Sequence, residues 1–245
     1  MIVSIHQPAY LPWLGYFDKI NQADLFIYLD TVQFQKGSFQ NRNKVLTRNG
    51  PVWLTVPVET SGRLYTTALK DLTIDNRQTW QAKHLSTVRL NYSGAQMYRE
   101  VFPAVEPFYH KPWARLSDLC WEMLLKFNEI LGITTPIVKA SEITEVEGKK
   151  SEMILSLCRS VKATTYLSGS QGKDYLDLKK FAEANMKVLF QDYVPRPYRQ
   201  QGGEFVAALG VVDLLFNEAQ PRSLFDRSNE HGAGLLVAET HNAER

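Results

Sequence analysis

The sequence predicts an α/β fold in which a mostly parallel, Rossmann-like sheet is flanked by helices. Short apolar runs alternate along the chain with segments of helical periodicity, and the runs at 1–5 and 25–29 are apolar almost throughout. Strands of that kind are typical of parallel sheets, which are buried on both faces. The order strand, turn, helix, strand in residues 1–29 is the repeating unit of such a sheet.

The other elements follow from the spacing of apolar residues. Leu14, Phe17 and Ile20 recur at helical spacing, which predicts a helix at 13–22 after a turn that contains two prolines. Short apolar runs predict strands at 52–58, 66–74, 136–140, 165–168 and 187–191. Helical spacing of apolar residues predicts helices at 79–90, 116–131, 150–161, 177–185 and 206–216. The polar residues 30–50 predict a long functional loop that leads into a helix at 41–47.

The chain shows no internal repeat and no low-complexity linker. We expect a single α/β domain over residues 1–220, with a helical lobe or insertion at about 79–140. A polar, loosely ordered tail is expected at 221–245.

Composition limits the function classes. A net charge of +2 argues against general nucleic-acid binding, which requires a basic stripe. Cys120 and Cys158 lie in apolar helical patterns, so we expect two buried thiols and no structural zinc or other metal site. The first residues do not resemble a signal peptide, and no apolar run approaches the ~18 residues of a membrane span. We therefore expect a cytoplasmic protein.

The candidate catalytic residues stand at the ends of the first two strands. His6 follows the first strand, and the carboxyl ends of parallel strands are where α/β proteins bind ligands. A histidine there is a candidate general acid or base. Asp30 ends the second strand at the same edge, where it could orient His6 or hold a sugar hydroxyl or amine.

Polar and aromatic residues nearby are candidates for binding substrate. Tyrosines can stack on a sugar or base, amides can bind hydroxyls, and basic side chains can bind phosphate. A Gly/Ser loop after the strand at 165–168 could cradle a phosphate through backbone amides, although a tight turn fits it equally well. Lys19 is expected on a solvated face unless its helix lines the cleft, and Trp13 is expected in the core. The candidate substrate-binding residues are Gln7, Tyr10, Tyr16, Gln33, Lys36, Asn41, Arg42, Lys44, Ser168 and Gly169.

One long motif resembles a known family. It reads His6-Gln7-Pro8-x-Tyr10-Leu11-Pro12-Trp13-Leu14-Gly15-Tyr16-Phe17-x-Lys19-Ile20, followed by Asp30-x-Val32-Gln33-Phe34 and Gln40-Asn41-Arg42-Asn43. Together with residues 53–58, 166–169 and 213–217, this motif resembles the WbqC-like protein family over roughly residues 1–220.

The resemblance implies an enzyme of bacterial surface polysaccharide, that is O-antigen or lipopolysaccharide, biosynthesis. It would be a transferase of acyl or aminoacyl groups, with glycyl transfer proposed, and its substrate would be a nucleotide-activated or lipid-linked amino sugar. A nucleotide sugar or sugar phosphate is the expected small-molecule partner, and the resemblance identifies neither the group donor nor a cofactor.

Two alternatives stay open. The order strand, turn, helix and buried strand in residues 1–29 also resembles the nucleotidyltransferase-like α/β fold. In that fold a Gly-His pair at the helix start binds phosphates, but this chain has Gly15-Tyr16 there. In that alternative Arg42 and Lys44 would bind a nucleoside triphosphate. The other alternative is a non-catalytic partner protein of a polysaccharide locus.

Overall fold

The computed structural model describes residues 1–59, 66–225 and 235–237. Its strands are β1 Ile2–His6, β2 Leu25–Tyr28, β3 Arg42–Thr47, β4 Gly50–Thr55, β5 Ile137–Lys139, β6 Thr165–Ser168, β7 Lys187–Gln191 and β8 Leu235–Val237. Its helices are α1 Leu14–Asn21, α2 Trp80–Tyr92, α3 Tyr98–Val105, α4 Leu116–Leu131, α5 Ser151–Ser160, α6 Leu178–Glu183 and α7 Val211–Asn217.

The main sheet has six strands in the order β5-β2-β1-β6-β7-β8. The first four pairings in that order are parallel, and β8 runs antiparallel to β7. Helices flank the sheet, so the α/β, Rossmann-like fold that the apolar strands predict is confirmed.

Alternating side chains of the strands form a core on each face of the sheet. In β2, Phe26 and Tyr28 join a cluster that includes Phe17 of α1, whereas Ile27 joins a second cluster with Leu157 of α5. Successive residues of a strand point to opposite faces, which explains this division. Helices α1 and α5 therefore cover opposite faces of the sheet.

Helix α4 begins and ends where the spacing of its apolar residues predicts. Gly132 caps it with a φ of 64°, a left-handed conformation that glycine adopts without steric cost. The hydroxyl of Tyr28 donates to the backbone oxygen of Ser117 at 2.8 Å, which fixes the first turn of α4 against β2.

Two predicted elements are wrong, and a third begins later than predicted. Residues 41–47 form β3 rather than a helix, because Asn43 and Val45 are buried while their neighbours Arg42 and Lys44 are partly exposed, which is the alternation of a strand. The strand predicted at 52–58 is β4, which pairs with β3 in a separate hairpin and not with the main sheet.

The strand predicted at 66–74 is also absent from the described residues, where a short 3-10 helix at Leu69–Asp71 is flanked by isolated bridges. The helix predicted at 206–216 begins only at Val211, because Gly210 is extended and its N–H donates to the backbone oxygen of Lys44 at 2.8 Å. Most of the predicted tail at 221–245 lies outside the described residues. The single domain over 1–220, with its helical lobe at about 79–140, stays a prediction.

A buried carboxylate joins distant segments of the chain. Asp213 in α7 accepts hydrogen bonds from the hydroxyls of Tyr92 and Tyr198, both at 2.7 Å, and from Nε2 of Gln200 at 2.9 Å. The Tyr92 hydroxyl also accepts from the backbone N–H of Leu46 in β3 at 2.8 Å. Burial raises the pKa of Asp213, and these donors oppose that shift. The network ties α2, β3 and α7 together.

We expect Tyr92→Phe to lower the free energy of unfolding by about 1–3 kcal/mol, because it leaves a buried carboxylate oxygen and a buried N–H without their donor and acceptor. Tyr98→Phe is the matched control, since the Tyr98 ring stacks on Phe102 and its loss of a hydroxyl should change stability by less than about 0.5 kcal/mol. Urea unfolding of both variants measures the difference. Equal losses in the two variants would contradict a structural role for the Asp213 network.

Candidate functional site

The site is a crevice at the carboxyl ends of the central strands. β1 lies between β2 and β6, so the order of connection reverses between β1 and β6. Ligands of open α/β sheets bind at such a switch point. A cavity of about 770 Å³ opens there, which we call the crevice. Its lining comes from the segments after β1, β2, β6 and β7 and from one face of α1.

His6 lies at the end of β1 and lines the crevice as a neutral imidazole. Its Nδ1 is 3.1 Å from the backbone oxygen of Gln7, and a carbonyl only accepts hydrogen bonds, so Nδ1 carries the proton and Nε2 keeps its lone pair. Burial and, to a smaller extent, the charge of Lys19 lower the pKa of His6 to about 3, and the hydrogen bond to the Gln7 carbonyl opposes this shift.

Lys19 is a site residue that was not among the predicted binding residues, and its helix lines the crevice. It is only 2% exposed, lines the crevice and donates from Nζ to the backbone oxygen of Ile5 at 3.0 Å. Burial lowers the pKa of its amine to about 7. Its position three residues after Tyr16 and four after Gly15 puts all three on one face of α1, and this spacing is the signal that could have identified it.

Aromatic rings form one wall of the crevice. The ring centroids of Trp13 and Phe39 are 5.3 Å apart, and the Tyr16 ring lies 4.7 Å from that of His6. Trp13 was expected in the core, but it is half-buried and lines the crevice. Gly15 permits this packing, because a Cβ there would come within 2.8 Å of Cδ1 of Tyr193.

Glutamine side chains fix the loops around the crevice. Gln40 donates from Nε2 to Oε1 of Gln7 at 2.6 Å, and its own Oε1 accepts from the backbone N–H of Gln35 at 2.7 Å. On the opposite side, Nε2 of Gln191 donates to the backbone oxygen of Gly15 at 2.8 Å. The loop after β1 is therefore linked to the loop after β2, and α1 is linked to the end of β7.

Two predicted site residues, Asp30 and Tyr10, make hydrogen bonds within the fold and are not part of the described lining of the crevice. Asp30 accepts from the backbone N–H and the hydroxyl of Ser141, at 2.9 and 2.6 Å, and the described lining of the crevice does not include it. The Tyr10 hydroxyl is buried and lies 2.9 Å from Nδ1 of His84 and 3.1 Å from the hydroxyl of Tyr109. The first strands end side by side as predicted, but the Asp30 carboxylate holds the segment after β5.

The predicted ligands in residues 30–50 lie in several different environments. Gln33 and Lys36 are exposed, and Asn41 donates to the backbone oxygen of Val56 at 2.9 Å. Arg42 and Lys44 lie over the ring of Trp53, at 4.3 and 5.1 Å from its centroid. None of these five predicted ligands is among the described residues that line the crevice.

Of the predicted residues, the structure brings His6, Gln7, Tyr16 and Gly169 together in the crevice. Ser168 is buried behind the turn that begins at Gly169 and is not part of the described lining. In the portion of the chain that the structure describes, no group of three or more His, Cys, Asp or Glu residues could hold a metal ion, and no helix is long and apolar enough to cross a membrane.

Two buried histidines make the stability depend on pH. Burial lowers the pKa of His84 to about 4 and that of His6 to about 3, whereas an unfolded histidine titrates near 6.5. Between these values the unfolded chain binds more protons, so the free energy of unfolding should fall as the pH drops from about 6.5 towards 4. His84→Gln should flatten this dependence, as measured by urea unfolding at several pH values. An unchanged slope would contradict the burial of a neutral His84.

Comparisons with known proteins match most of the length of this chain. The WbqC-like protein family matches residues 7–223. The uncharacterized protein Rv1507c of Mycobacterium tuberculosis (strain ATCC 25618 / H37Rv) is 35% identical over 217 residues, which cover 88% of this chain and 93% of that protein. No solved structure matches the chain. The chain belongs to the WbqC-like protein family.

Proposed function

We propose that the protein is a transferase that attaches an acyl or aminoacyl group to the amine of an amino sugar carried on a nucleotide or a lipid phosphate. The observation that carries the proposal is the crevice at the switch point, where the neutral imidazole of His6 stands beside an aromatic wall and a buried amine. The family resemblance supplies the setting, which is bacterial surface polysaccharide such as O-antigen, and suggests glycyl as the transferred group.

The shape and lining of the crevice suit a sugar derivative. Its volume of about 770 Å³ is within the range of small-molecule sites. Trp13 and Phe39 offer apolar faces on which a sugar or base can pack. The side chains of Gln35 and Gln171 also line the crevice and can bind hydroxyl groups.

His6 can serve the proton transfer that such a reaction requires. The amine nitrogen of the sugar forms a bond to the acyl carbon, the bond from that carbon to the donor's leaving atom breaks, and the amine loses a proton. Because Nδ1 of His6 is held by the Gln7 carbonyl, Nε2 is the atom that would accept this proton. Burial keeps His6 in the neutral form that can accept it.

We expect His6→Gln to lower kcat by about 10²- to 10⁴-fold, the usual contribution of a general base, with a smaller change in KM. The assay incubates UDP-linked amino sugars with a panel of acyl and aminoacyl donors and detects the N-acylated product by mass spectrometry. His110→Gln is the matched control, because that side chain is 62% exposed and lies outside the described lining of the crevice.

Two results would contradict the proposal. Full turnover by His6→Gln would contradict the role of His6, and absence of any N-acylated product with every donor would leave only the alternative functions.

The nucleotidyltransferase alternative is weakened because Arg42 and Lys44, its triphosphate ligands, pack on Trp53 instead. Calorimetry with ATP or CTP and Mg²⁺ tests it directly. A partner protein would tolerate substitution of His6 without any functional loss.

A further inference from the structure

We propose that the amine of Lys19 is the subsite of the crevice that binds the phosphate of the substrate. The proposal rests on the proposed function, because it identifies the charged group that a substrate must bring to the same site. It concerns a residue that was not among the candidate binding residues predicted from the sequence.

The geometry of Lys19 is that of a cation at the wall of a cavity. Its side chain is buried, yet it lines the crevice, and Nζ donates to the backbone oxygen of Ile5 at 3.0 Å. An ammonium group has three donors, so this bond leaves two for a ligand. The carbonyl carries no formal charge, so it does not neutralise the amine.

Gly169 leaves open space beside this amine. A Cβ at Gly169 would lie 3.9 Å from Nζ of Lys19 and, among the residues that the structure describes, would meet no other atom within 4 Å beyond its chain neighbours. The backbone of Gly169 has a φ of −70° and a ψ of 165°, which any residue adopts. The absence of a side chain is therefore not required by the backbone, and it gives a ligand access to Nζ.

The fold gains little from the charge of Lys19. Burial alone lowers the pKa of its amine to about 7, which means that the folded protein disfavours the charged form. Unfolded lysine binds its proton up to a pH near 10.4, so the residue destabilises the fold at neutral pH. A bound phosphate reverses this effect, because an opposite charge stabilises a desolvated cation.

Lys19 is the contact we expect for an anion, because the other titratable groups in the described lining of the crevice carry no positive charge at neutral pH. His6 is neutral, and burial raises the pKa values of Tyr16, Tyr166 and Tyr175, so their hydroxyls stay protonated at neutral pH. Asp192 and Tyr193 also line the crevice, and Asp192 is exposed. On α1 itself, the carboxylate of Asp18 accepts hydrogen bonds from Gln22 and Gln191.

Phosphate binding should therefore be accompanied by proton uptake. With a pKa of about 7 in the free protein, the amine is only partly protonated at neutral pH, and a bound phosphate raises its pKa. Binding of UDP-N-acetylglucosamine, whose phosphates stay fully ionised near neutral pH, should then take up a fraction of a proton at pH 7, and more at pH 8. A neutral sugar that reaches the crevice without touching Nζ would take up none.

Isothermal titration calorimetry tests the proposal with UDP-N-acetylglucosamine, N-acetylglucosamine 1-phosphate, inorganic phosphate and free N-acetylglucosamine, in buffers of different ionisation enthalpy at pH 7 and 8. The three phosphorylated probes share the proposed chemistry, and their ranking shows whether a nucleotide, a sugar phosphate or phosphate itself is preferred. We expect Lys19→Met to weaken binding of these probes by about 10- to 100-fold, the loss typical of a hydrogen bond to a charged group, and to abolish proton uptake. The same variant should melt at a higher temperature than the wild type, because a buried charge is removed.

Gly169→Ala provides a second variant with an unchanged charge. Its methyl group narrows the approach to Nζ, so binding should weaken while the melting temperature stays within a few degrees of the wild type. Lys83→Met is the matched control, because Lys83 is exposed on α2 and outside the described lining of the crevice.

The proposal is overturned if none of the phosphorylated probes binds the wild type at millimolar concentration, if Lys19→Met binds them as the wild type does, or if binding of UDP-N-acetylglucosamine takes up no proton. It is also overturned if Lys19→Met unfolds and Gly169→Ala binds these probes as the wild type does.

The outcomes distinguish a failure of this proposal from a failure of the proposed function. Phosphate binding that depends on Lys19 in a protein without transferase activity supports the subsite alone, whereas N-acyl transfer with an unchanged KM in Lys19→Met supports the transferase alone.

Discussion

The parallel pairing of β1 with β2 on one side and β6 on the other is the constraint on which the site depends. Parallel strands are connected by crossovers of one hand, so a reversal in the direction of connection places α1 and α5 on opposite faces of the sheet. The segments that follow β1 and β6 then diverge. The crevice is the space between them, and His6 and Gly169 face it because each stands at the end of its strand.

The polar residues near the N-terminus mostly hold the loops that shape this space. Asn43 in the hairpin donates to the backbone oxygen of Leu11, a residue with a φ of 45° in the turn after β1. A leucine in the left-handed region is uncommon and needs such support from its surroundings. The Gln7–Gln40 hydrogen bond fixes the same turn from the other side. The richness in amides that suggested ligand binding is therefore used to a large extent for backbone oxygens and for other amides.

Sequence patterns predicted the parts of the fold whose burial follows one simple period. β2, β6 and α4 are of that kind, and their positions were predicted to within a residue or two. The pattern failed at β3, where buried Asn43 breaks the apolar alternation and only the pairing with β4 reveals it. It failed in another way at Tyr10, because periodicity can show that a residue is buried but not whether it faces a cavity or the core.

Lys19 and His6 are coupled through the dielectric environment that they share. Burial and, to a smaller extent, the charge of Lys19 lower the pKa of His6, so the free protein holds a weak base there. An anion bound to the amine would cancel that charge and raise the basicity of His6, since like charges at short range disfavour protonation. Binding of the phosphate would then strengthen the base when substrate is present. The same burial that makes both groups costly to the fold makes each of them responsive to a ligand, and this is why a site can be inferred from residues that stability alone does not explain.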